Sequence, residues 1–133
     1  MHADPEIHGK DSRPLLDRFD IHIEVPAVKI VELNQKRAGK PSEAIRARVI
    51  CARERQAKRF KKRSGPFSNA DMQSREIHEF CRIDSDGEVL LKMAMTKLGL
   101  SARAYERILK VARTIADLAG NDEIRPEHLG EAI

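Results

Sequence analysis

Gly99-Leu100-Ser101-Ala102-Arg103-Ala104-Tyr105-Glu106-Arg107-Ile108-Leu109-Lys110-Val111-Ala112-Arg113-Thr114-Ile115-Ala116-Asp117-Leu118 is the stretch on which the reading of the fold turns. Tyr105, Ile108, Leu109, Ala112, Ile115, Ala116 and Ala119 recur with a helical period and so share one side of a cylinder. Arg103, Glu106, Arg107, Lys110 and Arg113 fall elsewhere on it. Ser101 is placed to cap the first turn, and Gly120 to end the last one in a left-handed conformation. Arg103 stands in the first turn, beside the unpaired N–H groups of the helix start, where a phosphate can be met. The competing reading of Arg103 is a plain solvated side chain.

Similar patterns run outward in both directions. Pro126 takes the first position of a final helix with Leu129, Ala132 and Ile133 apolar, and the chain stops with that helix still running, as a cut fragment would. Upstream, Leu90, Leu91, Ala94, Met95 and Leu98 mark a helix that starts at the turn 84–87 and is stopped by Gly99. Ser74 opens a short helix carrying Ile77, Phe80 and Cys81, with Asn69, Ala70 and Met72 leading into it. Ser42 is predicted to cap a long helix reaching Phe60, whose stripe is Ile45, Val49, Ala52 and Phe60 with the stem of Gln56 between. Ser64-Gly65-Pro66 ends it.

The first third of the chain differs. Residues 1–12 are polar and aperiodic, expected to be disordered or a junction left by truncation. Phe19, Ile21, Ile23 and Val25 then alternate with Asp20, His22 and Glu24, a period-2 strand with one apolar face, closed by Pro26. No other segment offers it a partner strand, so it pairs with another chain or belongs to a sheet lying elsewhere. Residues 27–41 read as a linker. The expected fold is all-α, a compact bundle of about five helices over residues 42–133. One orphan β-strand and a linker over 14–41 precede it, with residues 1–13 as the disordered or junction segment. Residues before Ser42 are expected to be poorly ordered on their own.

Composition narrows the function. Aromatics are 4% of the 133 residues and Trp is absent, which favours a Leu/Ile/Val/Ala helical core over a sheet sandwich. No apolar run approaches the roughly 20 residues that span a bilayer, and no signal-peptide core is seen, so a cytoplasmic protein without a membrane partner is expected. Cys51 and Cys81 are expected to be buried free thiols. The five histidines are scattered, no metal-ligand spacing occurs, and neither a phosphate loop nor an acidic pair after an apolar strand is present. Alone, this chain is expected to be catalytically inactive and to hold no cofactor.

One charge feature stands out. The helix from Ser42 and the residues just beyond it carry Arg46, Arg48, Arg53, Arg55, Lys58, Arg59, Lys61, Lys62 and Arg63 against Glu54 on the polar face. Such a run is most often solvated surface, but like charges at helical spacing repel, which an acidic partner or a nucleic acid would relieve. Arg53, Arg55, Lys58 and Arg59 are the candidate nucleic-acid residues. Arg18, at the start of the predicted strand, reads by itself as a surface arginine pairing Asp17 or Asp20.

Two segments carry a resemblance: Pro14-Leu15-Leu16-Asp17-Arg18-Phe19-Asp20-Ile21-His22-Ile23-Glu24-Val25-Pro26, and the stretch from Leu98 to Leu118 quoted above. Both resemble the C-terminal part of magnesium-chelatase-like AAA+ ATPases, most closely the bacterial competence-type branch, ComM/YifB. Glu43-Ala44-Ile45-Arg46, Asn69-Ala70-Asp71-Met72 and Ile124-Arg125-Pro126-Glu127-His128-Leu129 fit that family in the same order. The resemblance implies that the strand is the last one of an ATP-binding core and that residues 42–133 are the helical lid. It implies an arginine finger acting on a neighbouring subunit's ATP for Arg18, and the sensor-2 contact to the γ-phosphate for Arg103. It further implies ATP and Mg2+ as cofactors of the full-length protein. The implied partners are its own AAA+ core and the neighbouring subunits of a hexameric ring, with DNA as the substrate remodelled. The chain departs from the family in reading Ser12-Arg13 ahead of Pro-Leu-Leu and in lacking the phosphate loop, the acidic pair and the sensor-1 residue. Two alternatives stand beside this reading: a lid of a magnesium chelatase ATPase subunit, and a stand-alone basic helical module binding nucleic acid.

Overall fold

Helices follow one another with short connections: α1 (Ser42–Phe60), α2 (Ser74–Phe80), α3 (Ser85–Leu98), α4 (Ala102–Ala119) and α5 (Pro126–Ala132), with a 3-10 turn at Asn69–Asp71. The computed structural model describes residues 19–21, 23, 25–27, 39–61 and 64–133. The chain divides into two units, Met1–Arg37 and Ala38–Ile133, and these helices all lie in the second. Of the predicted strand, His22 and Glu24 lie outside the described residues, and Phe19, Asp20, Ile21, Ile23 and Val25 are not in a strand. Most of the predicted linker, and the expectation of disorder in residues 1–13, also fall outside them.

Helix α4 is the hub. It touches α1, α2, the 3-10 turn and α5, while α3 reaches the assembly through α5. Its buried stripe contains Ala104, Ile108, Leu109, Ala112 and Ala116. Against it pack Phe60 from α1, Met72, Ile77 and Cys81 around α2, Leu91 from α3, and Ile124 and Leu129 at α5. Small residues at 112 and 116 let neighbouring backbones approach, and the larger side chains fill what remains. Phe60 and Phe80 meet edge to face, their ring centres 5.6 Å apart, joining the ends of α1 and α2.

The predicted boundaries of α4 are those observed. Ser101 Oγ accepts the Ala104 N–H at 3.3 Å. Gly120 has φ 78°, and the Asn121 N–H returns to the Ala116 carbonyl at 2.8 Å, which closes a Schellman cap. Gly99 ends α3 in the same way, with φ 61° and Leu100 N–H bonded to Met95 O. Asp84 caps α3 by accepting from the Gly87 N–H at 2.7 Å.

Several expectations are corrected. Ser42 is the first helical residue and not the cap; Pro41 holds that position, with no side-chain hydrogen bond. Ile45 and Val49 are 48% and 46% exposed, because α1 runs past the body it packs on and only Ala52, Gln56 and Phe60 are covered. Leu98 is exposed at the end of α3, Tyr105 and Ala119 are exposed on α4, and Cys51 is an exposed thiol. Arg113, read as a polar-face residue, is 2% exposed. Cys81 is buried as expected, and burial pushes its thiol up to about 11, which makes it a poor nucleophile.

Gly87 lies in the first turn of α3, where a Cβ would stand 2.9 Å from Leu129 Cδ1 and 3.3 Å from Ile83 Cβ. Leu129 is fully buried and has little room to yield. Gly87→Ala is therefore expected to lose about 1–3 kcal/mol by overpacking, despite the better helix propensity of alanine. Urea denaturation followed by helical circular dichroism measures it, and an unchanged or raised midpoint would contradict the packing described.

Candidate functional site

The last turns of α1 and α4 converge on a buried carboxylate. Asp117 is completely covered, its side chain 0% exposed. The Arg59 guanidinium grips it with both ends, Nη2 donating to Oδ1 at 2.6 Å and Nη1 to Oδ2 at 2.8 Å. The same Nη1 donates to Asn69 Oδ1 at 2.8 Å, and Asn69 Nδ2 donates in turn to Asp117 Oδ2 at 2.8 Å and to Thr114 Oγ at 3.1 Å. Every polar atom of the Asn69 amide is thereby used. Arg113, one turn before Asp117 on α4, adds a second cation 3.1 Å from Oδ1.

Electrostatics follow from this geometry. Burial alone would push the Asp117 carboxyl up, but hydrogen bonds from Arg59 and Asn69 and the charges of Arg59 and Arg113 reverse that and hold it below the usual carboxylate range. Burial lowers the affinity of Arg113 for its proton, while Asp117 pulls it back up. Arg113 also donates from Nη1 to Asp122 O and from Nη2 to Asn121 O, each at 2.7 Å, leaving its buried Nε without a partner among the described residues. Arg55 ties the same loop to α1 by donating to Asp122 Oδ1 at 2.5 Å and to Gly120 O at 2.7 Å. An open cleft of about 660 Å³ lies alongside, lined by Cys51, Glu54, Arg55, Lys58, Arg59 and Asp122. Its lining mixes both signs of charge.

The four α1 residues singled out in the sequence thus divide. Arg59 is committed to Asp117, and Arg55 to the loop after α4. Arg53 is exposed and donates to Gln56 Oε1 at 2.9 Å, whereas Lys58 is exposed and makes no hydrogen bond or ion pair within the described residues. Arg103 stands exposed in the first turn of α4, likewise without such a partner, near the opposite end of that helix from Asp117. Arg18 lies outside the described residues. His128 is buried: its Nδ1 accepts the Arg125 N–H at 3.0 Å, and Asn121 Nδ2 lies 3.1 Å from Nε2. Among the described residues no group of three metal-ligating side chains converges.

Asp117, Asn69 and Arg113 were not singled out as a cluster from the sequence. The available signal was spacing: Arg113 and Asp117 are four apart, at the edge of the apolar stripe beside Leu109 and Ala116. Asn69 lies in the family-like Asn69-Ala70-Asp71-Met72 segment, and its amide accounts for why a polar residue is needed there.

Residues 39–133 match the family described as Magnesium chelatase, subunit ChlI C-terminal. The chain is 45% identical over 123 residues to Competence protein ComM of Haemophilus influenzae, and 43% identical over 123 residues to the uncharacterized protein YifB of Escherichia coli. In both cases the match covers 92% of this chain and 23% of the relative. It falls in the C-terminal part of those proteins. The uncharacterized protein Rv2897c of Mycobacterium tuberculosis is 33% identical over 112 residues, which are 84% of this chain and 22% of the relative. The chain therefore spans about a quarter of the length of these relatives.

Asp117→Asn removes the charge that neutralises two inward-facing guanidinium groups and is expected to cost about 3–5 kcal/mol. Because the folded carboxyl sits below its unfolded value, its contribution is complete above about pH 5 and is lost as pH falls through the folded pKa. Denaturant midpoints of the parent chain should thus drop steeply below about pH 4, near the unfolded carboxyl pKa. Those of the Asn variant should drop less. Parallel pH profiles would refute the assignment of this carboxylate.

Proposed function

Because this chain belongs to the magnesium chelatase subunit ChlI C-terminal family, we propose that it is the helical lid of a magnesium-chelatase-like AAA+ ATPase. The longer protein would couple ATP binding and hydrolysis in a ring to remodelling of DNA. The observation that carries the lid role is the placement of Arg103, an exposed cation, without a partner among the described residues, one residue into the helix that Ser101 caps. The N–H groups of that turn and a permanent, planar cation together suit a γ-phosphate. ATP, with Mg2+, supplies the phosphoryl group whose negative charge must be neutralised during transfer. Arg103 contributes positive charge from the lid side as sensor-2. Arg18 acts from the neighbouring subunit as an arginine finger. Its own AAA+ core and the adjoining subunits of the ring are the implied partners.

The DNA output is supported by the name of the Haemophilus relative, a competence protein. The family description supports the second reading, a lid serving magnesium insertion. If the lid itself touches DNA, Lys58 and Arg53 are the residues for it, since Arg55 and Arg59 are held by internal partners.

Two measurements test these roles. In the protein extended to the length of its relatives, Arg103→Ala should retain nucleotide binding while hydrolysis falls about 100-fold, the scale of losing one preorganised donor at a developing charge. Undiminished hydrolysis rejects the sensor-2 role. Separately, binding of this chain to single-stranded and duplex DNA is measured over a salt series. Lys58→Glu should weaken it and lower the salt slope by about one. Absence of binding even at low salt would reject DNA contact by the lid and leave the Arg103 result standing.

A further inference from the structure

The seam by which α1 packs on the bundle does not stop where the bundle stops. Ala52, Gln56 and Phe60 are buried along one stripe of the helix. Ile45 and Val49 continue that same stripe toward the N-terminus, yet residues 42–51 are all exposed. At about 100° per residue, Arg48 lies about 80° to one side of the Ile45–Val49 line and Arg46 about 80° to the other. Glu43 and Glu54 fall on the opposite half of the cylinder, more than about 130° away. Neither Arg46 nor Arg48 has a hydrogen bond or ion pair within the described residues.

We propose that residues 42–51 form a docking arm, received by the N-terminal part of the longer polypeptide in an apolar groove rimmed by carboxylates on both sides. The proposal rests on the reading of this chain as one module of such a protein. Three observations select the occupant. The seam is a direct continuation of one already buried, so it has the shape and composition of a packed face. The charged residues that flank it on this arm are arginines, so the complementary rim is acidic. The relatives carry about three quarters of their length outside the matched segment, and that segment is their C-terminal part, so in them most of the polypeptide precedes α1. A second copy fits worse, because pairing this face with itself brings Arg46 and Arg48 against like charges. A nucleic acid fits worse as well, because its phosphates would lie against Ile45 and Val49.

The test reads the accessibility of position 49. Val49→Cys is made in a Cys51→Ser background, which leaves only the buried Cys81 as a second thiol. Maleimide labelling is compared in this chain alone and in the chain joined to the N-terminal portion found in its relatives, without nucleotide, first without DNA and then with it. Labelling should be fast in the first and slowed about tenfold or more in the second, since a tether at millimolar effective concentration keeps the arm seated. Adding Arg46→Glu and Arg48→Glu should restore fast labelling in the extended protein, with the thermal midpoint of the isolated chain unchanged. Equal rates in the two proteins overturn the proposal. So does protection of the isolated chain that grows with its own concentration, which would identify a second copy. Protection that requires DNA overturns it too. Because no nucleotide is present, a failed sensor role for Arg103 leaves this result untouched.

Discussion

A carboxylate with no access to water holds this bundle in register. Asp117 is buried because two arginines and an amide are brought to it from three directions: Arg59 from the last turn of α1, Asn69 from the 3-10 turn, and Arg113 from α4 itself. An unpaired charge at such a position would be prohibitive, and partly satisfied partners would be nearly as bad. The arrangement therefore permits one relative placement of these elements. A sliding α1 would leave Asp117 facing apolar side chains and Arg59 without an acceptor. Apolar packing around Ala112, Ala116 and Phe60 supplies most of the attraction and tolerates small shifts, whereas the bidentate grip tolerates almost none.

The lock occupies one end of α4 and the candidate phosphate-sensing arginine the other. From Arg103 to Asp117 is fourteen residues, about 21 Å of helix. Near the Asp117 end the helix is fixed to α1, to the loop at 120–122 through Arg55 and Arg113, and to the 3-10 turn through Asn69. At the Arg103 end Ala102, Arg103 and Tyr105 are exposed, while Ala104 is buried. Its buried stripe runs from Ala104 to Asp117, so α4 is packed against the bundle along most of its length.

Much of this was legible in the chain. The helical period places the stripe of α4, and Ser101 and Gly120 mark its ends because capping chemistry is local and depends on few residues. Arg103 is placed in the exposed first turn by the same local signals, while the role proposed for it comes from the resemblance. Periodicity failed where the answer lay in tertiary structure. It assigns Ile45 and Val49 to the packed face of α1 correctly, but cannot say that the body ends before reaching them. It also assigns Arg59 and Arg113 to water, since a charged residue is nearly always outside unless a partner from elsewhere in the chain follows it inward. Asp117 is that partner, 58 residues from Arg59.

This misassignment changes the meaning of the basic helix. Read along the chain, α1 and its extension oppose nine cations to two carboxylates, Glu43 and Glu54. In three dimensions Arg59 answers Asp117 and Arg55 answers Asp122, while Arg46 and Arg48 flank the apolar seam. Arg53, Lys58 and Lys61 remain as exposed cations of the described part of this face. Three phosphate contacts give a log–log salt dependence of only about −3 and correspondingly weak binding. Linked copies of so weak a site would gain avidity without any new contact. The charge run taken alone argues for a nucleic-acid module. The ion pairs that neutralise part of it leave a weaker cationic surface than the count of charges suggests.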